Sequence, residues 1–182
     1  MDRNRLDFSS VDRQSKNDLT ASTLYYLQIN GYTGKTEFYE LTSGGTIVPY
    51  GDKSADGNKR TDVWMIYRAA SASGVYPIEL KDRWNYSSDN EFILRGSFLN
   101  PGKKDYINGL KEKGGITPLW AELYNDGKGR IWNLSKINLD ALPTEEHLIK
   151  RINIDPDGKK VSQLRYLLPM DRAIMIERKN GN

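Results

Sequence analysis

Two runs of aliphatic, β-branched and aromatic residues, Val63-Trp64-Met65-Ile66-Tyr67 and Val75-Tyr76-Pro77-Ile78, flank the small-residue segment Ala69-Ala70-Ser71-Ala72-Ser73-Gly74. That arrangement predicts a β-hairpin. Asp62 opens its first strand, and Glu79-Leu80-Lys81 closes its second. Strand side chains alternate, so Glu79 and Lys81 share one face while Ile78 and Leu80 occupy the other. Antiparallel pairing sets the start of one strand beside the end of the next, which brings Asp62 toward Glu79. Two carboxylates and an amine converging at one end of a hairpin suit a hard divalent cation and a polarised water, because Mg²⁺ prefers carboxylate oxygens and retains several waters.

The Asp, hairpin and Glu-x-Lys of Asp62, Glu79 and Lys81 resemble the signature of the PD-(D/E)XK nuclease superfamily. Thr61 stands where that signature has Pro. The resemblance covers the hairpin and, more loosely, the order of elements from about Ser15 to about Ile137. It implies a restriction-endonuclease-like fold and Mg²⁺-dependent hydrolysis of DNA, with Mn²⁺ as the alternative metal. Asp62, Glu79 and the backbone carbonyl of Leu80 would then hold the metal, and Lys81 would orient or help deprotonate the attacking water. Many members add an acid from the first helix; Asp18 lies there, but its N3 position makes it a cap, and Glu37 and Glu40 on the following strand are the other candidates.

Acid-x-Lys occurs four times in the chain, so its context has to discriminate. Asp126-Gly127-Lys128 and Asp157-Gly158-Lys159 are turn sequences, in which Asp bonds its own backbone and Gly supplies a positive φ. Glu177-Arg178-Lys179 follows an apolar strand, but Asp171 lies too close before it to leave room for a hairpin. Only Glu79 has an upstream strand-borne Asp and further elements downstream to wall in a site.

Composition narrows the chemistry. The absence of cysteine removes disulfides, thiolate nucleophiles and zinc clusters. With His147 as the lone histidine, His-metal and two-histidine nucleases are hard to build, whereas a carboxylate-held metal needs no histidine. A net charge of +3 permits nucleic-acid binding. Lys59, Arg60, Arg83, Lys103 and Lys104 surround the proposed site in sequence and are the candidate DNA contacts, with RNA as the alternative partner. Trp84 and Tyr86 could stack on bases or cap the core. No stretch approaches the roughly twenty apolar residues of a membrane span, and no secretory leader is expected, which points to a cytoplasmic, intracellular protein without a membrane partner.

Along the chain, Ser15-Lys16-Asn17-Asp18 resembles a capping box that starts a helix running to about Asn30, where Gly31 ends it. Strands are expected over 36–41 and 46–50, then a polar loop over 52–60. Residues 92–99 fit a strand or a buried loop. Asn100-Pro101 fits N-cap and N1 of a helix that stops at Gly114-Gly115, and strands are expected over 117–124 and 129–134. Beyond Asp140 the expectations are a short helix through Leu148, a turn at 155–158, and strands over 160–168 and 173–177. The 182 residues fit one domain, an α/β (α+β) fold with a mixed central sheet flanked by helices, its core at about 15–137 and a C-terminal extension at about 138–182. The rival readings are a nuclease-like module that binds nucleic acid or protein without cutting, and an unrelated α/β interaction protein in which Asp62 and Glu79 point apart. Enzymes that cut both strands often work as symmetric dimers, so a homodimer is expected.

Overall fold

In the computed structural model, which describes residues 8–55, 61–150 and 160–182, the first element is a long helix, α1 (Phe8–Ile29). It starts well before Ser15, which corrects the capping-box expectation. Ser15 lies inside the helix, where its hydroxyl donates to the Val11 carbonyl at 2.9 Å and pairs with Asp82 at 2.7 Å. A Ser-x-x-Asp spacing marks a helix start only when the preceding turn is not itself helical. Gly31 follows the helix at φ +74°, a left-handed conformation that glycine adopts without strain.

After α1 come β1 (Lys35–Leu41), β2 (Ile47–Pro49), β3 (Val63–Arg68) and β4 (Ser73–Arg83), the last two forming the expected hairpin. Residues 92–99 divide into a single helical turn, α2 (Glu91–Leu94), and a short strand, β5 (Ser97–Leu99). In α3 (Pro101–Lys111) the Asn100 side chain accepts from the Lys103 amide at 2.8 Å, the cap that the sequence announces. There follow β6 (Leu119–Tyr124), β7 (Lys128–Asn133), β8 (Thr144–Lys150), β9 (Lys160–Leu168) and β10 (Ala173–Glu177). The short helix expected through Leu148 is instead β8, paired along its length with β9. Long-range ladder bonds override local propensity there, and the exposed His147 stands on a strand. The predicted turn at 155–158 lies outside the described residues.

The fold is mixed α/β. A seven-stranded sheet has the order β10-β7-β6-β4-β3-β1-β2, and a second sheet has the order β5-β9-β8. Within the large sheet only β4 and β6 run parallel, so the chain crosses from one to the other through α2, β5 and α3. That crossover lays α3 over the sheet face that carries Glu79. The described residues from 138 on are woven into this architecture, because β10 forms one edge of the large sheet and β8 and β9 build most of the second.

Alternation divides the large sheet between two cores. Val63, Met65, Ile78, Leu80, Ala121, Leu123, Ile131 and Ile176 pack with Leu19 of α1 on one face. Trp120, Trp132 and Leu134 pack with Leu99, Ile107, Leu139 and Leu168 on the other. A central strand covered on both faces leaves little room for polar groups, so the charged side chains that remain on β4 and β6 must find partners. Among the described residues no helix is long and apolar enough to cross a membrane.

Candidate active site

The hairpin register pairs Val63 with Ile78. Asp62, immediately before β3, donates its amide to the Ile78 carbonyl at 3.2 Å, one position off that register. The offset kinks the strand start, as a bulge does, and re-aims the side chain. Asp62 Oδ2 therefore accepts the Leu80 amide at 2.7 Å, filling the ladder position left open where β3 begins. The N–H and C=O of one strand residue point to the same side, so the Leu80 carbonyl also points toward Asp62. Thr61 fixes the kink from the other direction, because its buried hydroxyl lies 3.0 Å from the Tyr106 hydroxyl on α3.

Glu79 lies on the α3 face with only 7% of its surface exposed. Lys81 approaches Glu79 Oε1 at 2.9 Å, and Lys103 from α3 approaches Oε2 at 2.7 Å. The Lys81 ammonium also sits 5.5 Å from the centre of the Trp120 ring, which steadies an otherwise exposed lysine. Burial pushes the Asp62 carboxyl up to about 6, and the negative charge of Glu79 adds to that rise. The Leu80 amide, Lys81 and Lys16 offset part of it. The carboxylates thus act on each other across the end of the hairpin, and an ionised Asp62 is short of positive charge.

The candidate third acids go elsewhere. Asp18 accepts from Arg178 at 2.9 and 3.1 Å, from Gln14 at 2.8 Å and from the Gly181 amide at 2.9 Å. It is therefore not a helix cap, but one side of a clamp that ties the C-terminal segment to α1. Glu40, nearly fully buried, is held by Arg13 at 2.8 Å, by Lys16 at 3.6 Å and by the Gly51 amide at 3.0 Å. Glu37 pairs with Lys35 at 2.9 Å. Among the described residues no group of three or more His, Cys, Asp or Glu is arranged to hold a metal ion. What remains is the Asp62 and Glu79 pair with the Leu80 carbonyl, a small oxygen donor set. Glu79 Oε1 and Oε2 are engaged by Lys81 and Lys103, and Asp62 Oδ2 by the Leu80 amide, so a cation such as Mg²⁺, which takes one or two carboxylates and fills its shell with waters, would have to share those oxygens or displace an ammonium.

Of the candidate nucleic-acid contacts, Lys59 and Arg60 lie outside the described residues. Lys103 is drawn into the site, on Glu79. Lys104 pairs with Asp140 at 2.5 Å and lies over the Tyr166 ring. Arg83 turns inward to Glu122 at 3.0 Å, so its guanidinium belongs to an internal network rather than to an open groove. Trp84 is half exposed, and Tyr86 stacks on Phe92 with ring centres 5.2 Å apart.

Sequence reasoning missed two features. The first is the contact of Lys103 with Glu79. Lys103, Ile107 and Leu110 recur at helical spacing, and the latter two are buried, so the lysine continues an inward-facing stripe. The second is Glu122, 1% exposed, which gathers Arg83, Ser97, Trp120 at 3.3 Å and Tyr124 at 3.0 Å. Trp120, Glu122 and Tyr124 occupy alternate positions of β6, and a carboxylate within such an alternation signals a buried polar network.

The other acid-x-Lys pairs are plainly different. Glu177 and Lys179 form a surface pair at 2.5 Å, with the Glu177 side chain 59% exposed. Asp126 is a turn residue that accepts from the Ser88 amide at 2.9 Å and hydroxyl at 2.7 Å, while Asp157 and Lys159 lie outside the described residues. No family model, no curated protein and no solved structure matches this chain, so its fold and its site stand on their own geometry.

Proposed function

We propose that the chain is a Mg²⁺-dependent endonuclease of the PD-(D/E)XK type that hydrolyses phosphodiester bonds in DNA. The observation that carries this reading is that Asp62, bonded to the Leu80 amide at the open end of the hairpin, feels the charges of Glu79 and Lys81 and is pushed up to about 6, while Lys81 pairs with Glu79. Strongly perturbed carboxyls beside a specific charge partner are frequent at functional sites. Asp62, Glu79 and the Leu80 carbonyl would hold the cation, Mg²⁺ or alternatively Mn²⁺. A bound divalent ion supplies Lewis acidity and lowers the pKa of water, so no histidine base is needed.

The chain's own residues do the rest. Lys81, with the Trp120 ring beside it, orients the attacking water and offsets negative charge as the water oxygen bonds to phosphorus and one ester P–O bond breaks. Thr61 and Tyr106 hold the kink that aims Asp62. Lys59 and Arg60, adjacent to Asp62 in sequence, are assigned to the phosphate backbone, with RNA the alternative to DNA. A symmetric homodimer and a cytoplasmic location go with this reading.

The test is incubation of supercoiled plasmid with purified protein in Mg²⁺, in Mn²⁺ and in EDTA. Nicked or linear product is expected with either metal and none in EDTA, and Glu79→Ala should be inactive under all three conditions. Intact plasmid in both metals, or cleavage by Glu79→Ala at the wild-type rate, would refute the proposal. The engagement of Asp18, Glu37 and Glu40 with other partners favours a second reading, a nuclease-like module that binds without cutting. That module would retard DNA in a gel while leaving it intact in every metal.

A further inference from the structure

Two ammonium groups meet on Glu79, and they arrive by different routes. Lys81 comes from the same strand, two residues on, and its side chain is 41% exposed. Lys103 comes from the first turn of α3, with 15% of its side chain exposed against 9% for Glu79. Its contact is the shorter of the two and the drier. A cation in the first turn of a helix opposes the macrodipole, so its local environment does not favour it there. Its place follows from the α3 stripe, which buries Ile107 and Leu110 against the sheet and points Lys103 at Glu79.

Charge balance gives this contact a consequence. Asp62 and Glu79 against Lys81 and Lys103 come to zero when all four are ionised. A divalent cation on the two carboxylates leaves a surplus of positive charge, and it competes with Lys103 for Glu79 Oε2. We propose that Lys103 is the resident counter-ion of Glu79, that a divalent cation and Lys103 exclude each other on that carboxylate, and that the displaced ammonium turns to a backbone phosphate of the nucleic acid. Metal and DNA binding are then coupled through one side chain. The proposal deepens the endonuclease reading and rests on it.

The experiment compares wild type with Lys103→Met, which keeps the aliphatic stem and removes the charge. Calorimetric titration with Ca²⁺ measures cation binding without activity. Lys103→Met is expected to bind Ca²⁺ about tenfold more tightly, a coupling of ordinary size. DNA binding is then measured with a fluorescent duplex. In EDTA the two proteins should agree within about twofold, because Lys103 is engaged on Glu79. In Ca²⁺ the variant should bind about tenfold more weakly, and its log K against log salt should be shallower by about one. Lys103→Arg, which restores a cation, should recover the Ca²⁺-dependent part, and matched circular dichroism spectra establish that the variants fold.

Unchanged or weaker Ca²⁺ binding by Lys103→Met overturns the proposal. So does an equal loss of DNA affinity in EDTA and in Ca²⁺, which would make Lys103 an ordinary phosphate contact. If wild type itself takes up no Ca²⁺ or Mg²⁺, the endonuclease reading falls together with this one. If wild type binds the cation and Lys103→Met binds it equally, only the counter-ion proposal falls.

Discussion

Replacing Asp62 by Asn should stabilise the metal-free protein at neutral and alkaline pH while destroying any metal-dependent cleavage. Burial and the charge of Glu79 raise the Asp62 carboxyl from 3.8 to about 6. Between those values the folded chain keeps a proton that the unfolded chain has lost, so acidification favours folding. The associated stability is fully present below about pH 3.8 and is lost as pH rises through about 6. A rise from 3.8 to about 6 corresponds to roughly 3 kcal/mol, an upper figure for what ionised Asp62 costs the fold at pH 8. An Asn amide cannot ionise, and its oxygen can still accept the Leu80 N–H. For a chain of this length that upper figure amounts to at most roughly 6–12 °C in melting temperature. Thermal unfolding in EDTA, followed by circular dichroism from pH 4.5 to pH 8, should show the variant's advantage growing with pH. A variant no more stable than wild type at pH 8, or a gap independent of pH, would refute the reasoning. Added Ca²⁺ at pH 8 should narrow the gap by stabilising wild type alone.

Arg178→Met should cost about 3 kcal/mol in urea unfolding, because it takes the guanidinium from the buried Asp18 and the partly buried Asp82, both within 3.0 Å of it. A loss under about 1 kcal/mol would show that the C-terminal clamp contributes little. Glu177→Ala should leave plasmid cleavage within about twofold of wild type, since surface ion pairs such as Glu177 with Lys179 contribute little. If that variant were the inactive one, the site would have to be rebuilt on β10.

The parts of the site that the sequence announced are those governed by short-range geometry. Strand alternation alone sets Glu79 and Lys81 on one face, and the Ala/Ser/Gly segment alone folds β3 back on β4. The Asn100 cap of α3 was legible for the same reason, since a side chain and an amide three residues apart decide it. The start of α1 was misread because Ser15 and Asp18 fit a cap pattern while serving distant partners, Asp82 and Arg178. In β8 the residues from Thr144 onward look helical in isolation, and β9 makes them a strand.

The sequence by itself therefore determined the hairpin, the acid-x-Lys that closes it and the order of elements around it, because each depends on neighbours within a few residues. Only the tertiary structure decided that Lys103 meets Glu79, that Arg83 turns to Glu122, that the acids of α1 and β1 go to other partners, and that Asp62 is raised to about 6. Those outcomes depend on which elements the β4 to β6 crossover stacks over the sheet, and on how far burial removes each charge from water. Both are set by contacts between residues distant along the chain, and the energy of a buried charge depends on every group around it.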